Sequence, residues 1–126
     1  MPTLEKKVLL FRSLAAALRP GGVLVSVVST PEIYLHEWAS FSTKDFPENR
    51  QARNGDVVKI ITTDYADARP VEDILWTEEA YRDVYARAGL EVEAAYKPLA
   101  TGYEPHAWVN ETRIAPWAIY VLKTGR

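Results

Sequence analysis

Side chains that suit the binding of a small molecule are concentrated in one short stretch of this chain. Two hydroxyl residues directly follow the apolar run of residues 23–28, and open α/β sheets bind ligands just beyond the carboxyl ends of their strands. A phenol, an imidazole and an indole follow within the next few residues, and they offer a hydroxyl group, a titratable base and a flat ring. The candidate substrate-binding residues are Ser29, Thr30, Tyr34, His36 and Trp38.

Each of these candidates has a structural alternative. Ser29 and Thr30 could cap the next helix, which is a common role for hydroxyl residues. His36 and His106 are the only two histidines, and neither has a partner at a spacing typical of catalysis or of metal binding, so a surface or loop position is favoured for both. No catalytic residue and no metal ligand is assigned. A core position is likewise favoured for the aromatic residues of this region, which are Trp38, Phe41, Phe46, Tyr65 and Trp76.

Composition narrows the class of protein. The chain has 126 residues, 48% of them hydrophobic and 25% charged, which suits one globular domain. Its 15 basic and 17 acidic side chains are interspersed, so nucleic acid binding by bulk charge is not expected. Cysteine is absent, which excludes a disulfide framework and a cysteine nucleophile. No apolar run approaches the roughly 20 residues that span a bilayer, so we expect a soluble, cytoplasmic protein with no membrane partner.

The first third of the chain shows a helix that leads into a strand. Apolar residues recur at steps of three and four between Leu4 and Leu18, which predicts an amphipathic helix. Arg19-Pro20-Gly21-Gly22 ends it, because proline interrupts the helical hydrogen bonds and glycine accepts positive φ. Residues 23–28 are continuously apolar, which predicts a strand covered on both faces.

The remaining segments alternate between strands and one clear helix. We predict a short helix over residues 33–41, then strands at 57–63 and 71–76 that form an antiparallel pair outside the main sheet. Thr77 is a natural N-cap for a helix that runs to Ala88, with Gly89 following its C-terminus. Strands are predicted over residues 90–96 and 117–122, with a long connection between them.

Three motifs in this order resemble the second half of the class I S-adenosylmethionine-dependent methyltransferases. They are Leu18-Arg19-Pro20-Gly21-Gly22, Trp76-Thr77-Glu78-Glu79 and Ala88-Gly89-Leu90-Glu91-Val92. The resemblance implies an α/β fold, the C-terminal half of a Rossmann-like domain, whose mixed sheet carries helices and a small β-hairpin insert. Residues 1–126 would form one partial domain, with residues 32–76 as a variable insert on the substrate side. The implied activity is methyl transfer from S-adenosylmethionine to a small-molecule acceptor.

One departure from the family qualifies this assignment. Family members hold the cofactor with a glycine-rich turn and an acidic residue in their first half, and no such turn precedes residues 23–28 here. No cofactor-binding residue is therefore assigned, and we do not expect this chain alone to bind S-adenosylmethionine. The same departure leaves strand 23–28 as an exposed sheet edge, which predicts a homo-oligomer or pairing with a partner along that strand.

A second function remains open on the sequence alone. The chain could be a non-enzymatic α+β binding or interaction domain that shares this half-fold. The lack of a catalytic triad does not separate the two, because methyl transfer depends mainly on holding the acceptor and the methyl donor in line.

Overall fold

The N-terminal helix α1 spans Leu4–Ala17 in the computed structural model, which describes residues 3–63 and 69–124. The Thr3 hydroxyl caps it by accepting a hydrogen bond from the Lys6 amide at 3.2 Å. The apolar stripe predicted for this helix faces the core, where Val8 and Ala15 are buried. Tyr65, one of the aromatic candidates, lies outside the described residues.

A tight turn joins α1 to the first strand. The Gly22 amide donates to the Arg19 carbonyl oxygen at 2.8 Å, which closes a four-residue turn around Pro20 and Gly21. Gly21 has φ +81°, the value that the third position of a type II turn requires. A Cβ on Gly22 would lie 2.9 Å from the Arg19 carbonyl oxygen, so both glycines are needed here. The predicted break after the helix is confirmed.

Three strands form the main sheet: β1 (Val23–Ser29), β5 (Leu90–Tyr96) and β6 (Trp117–Thr124). Their order is β1-β6-β5, and both pairings are antiparallel, so β1 and β5 point in the same direction on either side of β6. Helix α1 and helix α2 (Glu78–Arg87) pack together on one face of this sheet. The core of that layer consists of Val8, Ala15, Val84, Tyr85, Ala88, Leu90, Ala118, Tyr120 and Leu122.

The other face of the sheet, which we call the open face, is apolar and exposed. Val23, Val25 and Val27 of β1 are 50%, 56% and 61% exposed. On the neighbouring strand β6, Val121 pairs with Val25 and Ile119 pairs with Val27. The expectation that residues 23–28 are covered on both faces was therefore wrong, because α1 and α2 lie on the same side. Within the described residues β1 pairs only with β6, so its outer edge is unpaired, as expected.

The region between β1 and α2 forms a second sheet with its own core. Strands β2 (Phe41–Ser42), β3 (Val57–Thr62) and β4 (Pro70–Ile74) lie in that order, with antiparallel pairing throughout. The predicted antiparallel pair outside the main sheet is confirmed. The buried side chains of this insert are Ile33, Tyr34, Trp38, Val58, Ile60 and Leu75.

The helix predicted over residues 33–41 is replaced by a short 3₁₀ helix, Pro31–Tyr34. The chain then turns back on itself, since the Trp38 amide donates to the Phe41 carbonyl oxygen at 3.0 Å. The Glu37 carboxylate also fixes this turn by accepting hydrogen bonds from the Thr43 amide and the Ser42 hydroxyl, both at 2.6 Å. These local bonds are incompatible with a continuous helix to residue 41.

Helix α2 follows its sequence signals closely. The Thr77 hydroxyl accepts from the Ala80 amide at 3.3 Å, and Gly89 has φ +82° just beyond the C-terminus. The predicted cap and end of this helix are thus confirmed. Neither helix in the described part of the chain is long and apolar enough to cross a membrane.

The long connection from β5 to β6 is fixed by a buried carboxylate. Glu111 is only 7% exposed, and it accepts hydrogen bonds from the backbone amides of Ala39, Val109 and Asn110 at 2.6, 2.8 and 3.0 Å. Burial alone would raise the pKa of Glu111, but these amides outweigh it and hold the pKa below its ordinary value. The carboxylate thereby ties the connection to the insert.

Candidate ligand-binding site

Two adjoining cavities lie at the carboxyl end of β1, where the main sheet meets the insert. Their volumes are about 280 Å³ and about 180 Å³. Four residues line both: Val28, Ser29, Trp76 and Tyr81. The position fits the general rule that α/β sheets bind ligands beyond the carboxyl ends of their strands. We call them the large cavity and the small cavity.

The large cavity has apolar walls and a polar rim. Its walls include Val28, Ala118 and the rings of Trp76, Tyr81 and Tyr120. On the rim, the Glu78 carboxylate accepts a hydrogen bond from the Lys97 ammonium at 3.2 Å. Hydrogen bonds from Lys97 and then from Arg82 hold the pKa of Glu78 below its ordinary value. The large cavity therefore suits a flat, largely apolar group.

The small cavity is more polar. The Tyr34 hydroxyl donates to Asp73 Oδ2 at 2.5 Å, and the Ile74 amide donates to Asp73 Oδ1 at 2.8 Å. Burial, reinforced by this bond to Asp73, raises the pKa of Tyr34 far above its ordinary value, so the phenol keeps its proton. Both oxygens of Asp73 thus have a fixed donor.

Lys7 of α1 reaches the small cavity from the opposite side. Lys7 is only 8% exposed, and its ammonium lies 5.4 Å from the ring centre of Tyr81 and 6.0 Å from that of Trp76. Burial lowers the pKa of Lys7, and the nearby Asp73 charge opposes that effect. Among the described residues, Lys7 forms no ion pair with a carboxylate at 4.0 Å or less.

Three of the five predicted substrate-binding residues line these cavities. Ser29 contributes to both, Thr30 to the large cavity and Tyr34 to the small one. The Thr30 hydroxyl does not cap the following 3₁₀ helix. It donates instead to the Ala115 carbonyl oxygen at 2.7 Å, which fixes the end of β1 to the segment before β6.

The other two predicted residues lie elsewhere. His36 is 2.8 Å from the Glu32 carboxylate and lines a separate open depression of about 410 Å³. Trp38 is 4% exposed in the core of the insert, and its indole nitrogen donates to the Ile33 carbonyl oxygen at 2.8 Å. A ligand in the two cavities would touch neither, so their role in binding remains a prediction without support from this geometry.

The sequence analysis missed Lys7 and Asp73. Lys7 follows Leu4 by three residues and precedes Phe11 by four, which places a charge on the apolar stripe of α1. A charge on a core-facing stripe is the signal that identifies Lys7. Asp73 has no comparable signal, because it is an exposed acidic residue in a strand whose partner across the cavity depends on the tertiary fold.

The described residues do not fit S-adenosylmethionine or a metal ion. The glycines with positive φ are Gly21, Gly55, Gly89 and Gly102, and none of them lines either cavity. Gly21 and Gly89 precede β1 and β5, at the opposite end of the sheet from the cavities. The described part of the chain also has no group of three or more metal-ligating side chains. A glycine cradle for the cofactor is thus not formed here.

Comparison with solved structures identifies the fold. An S-adenosylmethionine-dependent methyltransferase from Clostridium acetobutylicum aligns with 98% of this chain, with a TM-score of 0.55 and 9% identity. The CcbJ methyltransferase from Streptomyces caelestis aligns with 99%, with a TM-score of 0.57 and 11% identity. The chain has a methyltransferase-like fold. Neither family models nor curated proteins match the sequence.

The alignment is unequal in one respect. The chain covers 53% of the first methyltransferase and 56% of the second, so it spans about half the length of each. At these identities the likeness concerns the fold alone.

Proposed function

We propose that this chain is the C-terminal, acceptor-side half of a class I S-adenosylmethionine-dependent methyltransferase. In this proposal it binds a small-molecule acceptor and takes part in methyl transfer when a cofactor-binding half completes the domain. The observation that carries the proposal is the pair of cavities at the carboxyl end of β1 in a chain with a methyltransferase-like fold.

The order of elements supports the assignment to the C-terminal half. The Arg19-Pro20-Gly21-Gly22 turn joins α1 to β1, and the stretch from Trp76 leads into α2 and then β5. In the family that the sequence resembles, such motifs lead into the fifth strand and supply the last helix and the sixth strand. The insert, residues 32–76, borders the small cavity through Tyr34 and Asp73 and both cavities through Trp76, as a substrate-side insert should.

The chain's own residues would act by positioning the acceptor. When it is bound, S-adenosylmethionine supplies an electrophilic methyl group, and direct displacement needs the acceptor atom held close and in line. Tyr81, Trp76 and Tyr120 would hold an acceptor ring, while Ser29 at the end of β1 would orient its polar group. The cofactor would be held by the other half, since the described residues offer no cradle for it.

The exposed surfaces of the main sheet support a need for a partner. The outer edge of β1 is unpaired, and Val23, Val25 and Val27 of the open face are at least half exposed. Unpaired edges and apolar patches of this kind are normally covered in soluble proteins. We propose that β1 pairs with the cofactor-binding half, and that a second copy of the chain occupies the same surface when that half is absent.

Reconstitution tests this function. The chain would be co-expressed with the polypeptide segment encoded immediately upstream at the same locus, and binding of S-adenosylmethionine would be measured by isothermal titration. Transfer of a labelled methyl group to a set of small acceptors would be measured in parallel, with each part alone as control. We expect binding and transfer only from the combined parts. A stable complex that binds no S-adenosylmethionine would refute the proposal and leave a non-enzymatic binding domain.

A further inference from the structure

The buried ammonium of Lys7 is the least expected feature of the molecule. It lines the small cavity beside the rings of Tyr81 and Trp76. Taking a charged group out of water costs free energy unless another group compensates for it. The faces of Tyr81 and Trp76 offset part of that cost, but no carboxylate among the described residues is within ion-pair distance. An anion that entered the small cavity would provide the missing contact.

The adjoining large cavity indicates what the rest of the ligand resembles. Its walls are aromatic and aliphatic, and Trp76 and Tyr81 extend from it into the small cavity. Its volume of about 280 Å³ lies just below the range of roughly 300–1,000 Å³ typical of drug-sized ligands. A single ring therefore fits, and a group attached to that ring would extend past Ser29 toward Lys7.

We propose that Lys7 binds the carboxylate of a small aromatic acid whose ring occupies the large cavity. This inference rests on the proposed function only in making that acid the methyl acceptor. The binding site itself is formed by this chain. The ring of Trp76 lines both cavities, so it lies between the proposed sites of the ring and of the carboxylate.

The Asp73 carboxylate also lines the small cavity, and its effect on the binding of an anion should be opposite to that of Lys7. Its oxygens are occupied by the Tyr34 hydroxyl and the Ile74 amide, so it remains an anion near the proposed carboxylate. Like charges in one cavity repel each other, and an uncharged residue of the same shape removes that repulsion. Asp73→Asn should therefore strengthen the binding of an aromatic acid, while Lys7→Met should weaken it.

The probes are benzoate and benzamide, which have the same ring but differ in charge. Their affinities for the chain would be measured by NMR titration of the tryptophan indole resonances, with Trp76 assigned through Trp76→Phe. A hydrogen bond to a charged group corresponds to about a tenfold or larger effect on affinity. We therefore expect benzoate to bind at least about tenfold more tightly than benzamide, and we expect Lys7→Met to abolish that preference.

Lys6→Met is the matched control, because Lys6 is the exposed neighbour of Lys7 on the same helix and should keep the preference. Lys7→Arg retains the charge and should keep it in part, and thermal unfolding would verify that each variant is folded. Equal affinities for benzoate and benzamide, no benzoate binding up to its solubility limit, or an unchanged preference in Lys7→Met would each overturn the inference. These binding results do not depend on methyl transfer: if benzoate binds but reconstitution fails, only the proposed function falls.

Discussion

Replacing Val25 and Val27, on the open face of the main sheet, with lysine should prevent association through β1. Val25 and Val27 are 56% and 61% exposed, and complete burial of a valine side chain contributes about 2 kcal/mol. Covering the exposed part of each side chain is thus worth about 1 kcal/mol. Both copies in a symmetric dimer carry the two substitutions, so the double variant Val25→Lys/Val27→Lys loses about 4 kcal/mol of association free energy, or roughly a thousandfold in affinity, before the cost of burying the ammonium groups is added.

Sedimentation equilibrium of the chain alone measures this effect. We expect the wild type to form dimers at a concentration at which the double variant is monomeric. The matched control is Leu9→Lys/Leu10→Lys, which adds the same charge to α1 at side chains that are 62% and 42% exposed. A wild-type chain that remains monomeric at high concentration would refute the reasoning, as would a control that dissociates as readily as the β1 variant.

Two further predictions concern stability. Glu111→Gln should lower the free energy of unfolding by about 2 kcal/mol, because three backbone amides lose a charged acceptor, and urea denaturation at neutral pH measures this loss. The pKa of Glu111 is lower in the folded chain than its unfolded value of 4.5. Its contribution to the free energy of unfolding is therefore complete above pH 4.5 and is lost as the pH falls through the folded pKa. The stability of Glu111→Gln should consequently fall less in acid than that of the wild type. Burial, partly opposed by the Ser26 hydroxyl, raises the pKa of Tyr85 to about 12, so only the unfolded phenol releases its proton between pH 10 and pH 12. That release favours unfolding by about 1.4 kcal/mol at pH 11, and Tyr85→Phe should lose less stability than the wild type between pH 8 and pH 11. An equal loss in both proteins would contradict the assignment to Tyr85.

The elements with strong local signals were predictable from sequence. Thr77 and Gly89 mark the ends of α2, and the proline and glycines after Leu18 mark the turn into β1, because capping and positive φ depend on a few adjacent residues. The segment over residues 33–41 was not predictable in the same way. Its path is fixed by the Glu37 carboxylate and by pairing of Phe41 with Thr62, and the second of these contacts is distant in sequence.

The candidate site was predictable only in part. Ser29 ends β1 and Thr30 and Tyr34 follow it, and that position alone brings them to the cavities. The prediction that β1 is covered on both faces was wrong. A continuous apolar run shows that a strand suits burial, but it does not show whether this chain supplies the covering layer. Lys7 of α1 and Asp73 of β4 both line the small cavity only because the folded chain brings these two elements to the same cavity, which no local pattern records.

The separate cores of the two sheets bear on how this protein could diversify. Asn49 anchors the insert by donating to the carbonyl oxygens of Tyr34 and Lys59, and this bonding is independent of the helical layer beneath the main sheet. Substitutions at distant sites that share no partners have nearly additive effects on stability. Evolution is therefore free to remodel the rim of the cavities through the insert while the sheet beneath it keeps its shape, and related chains should differ most between β1 and α2.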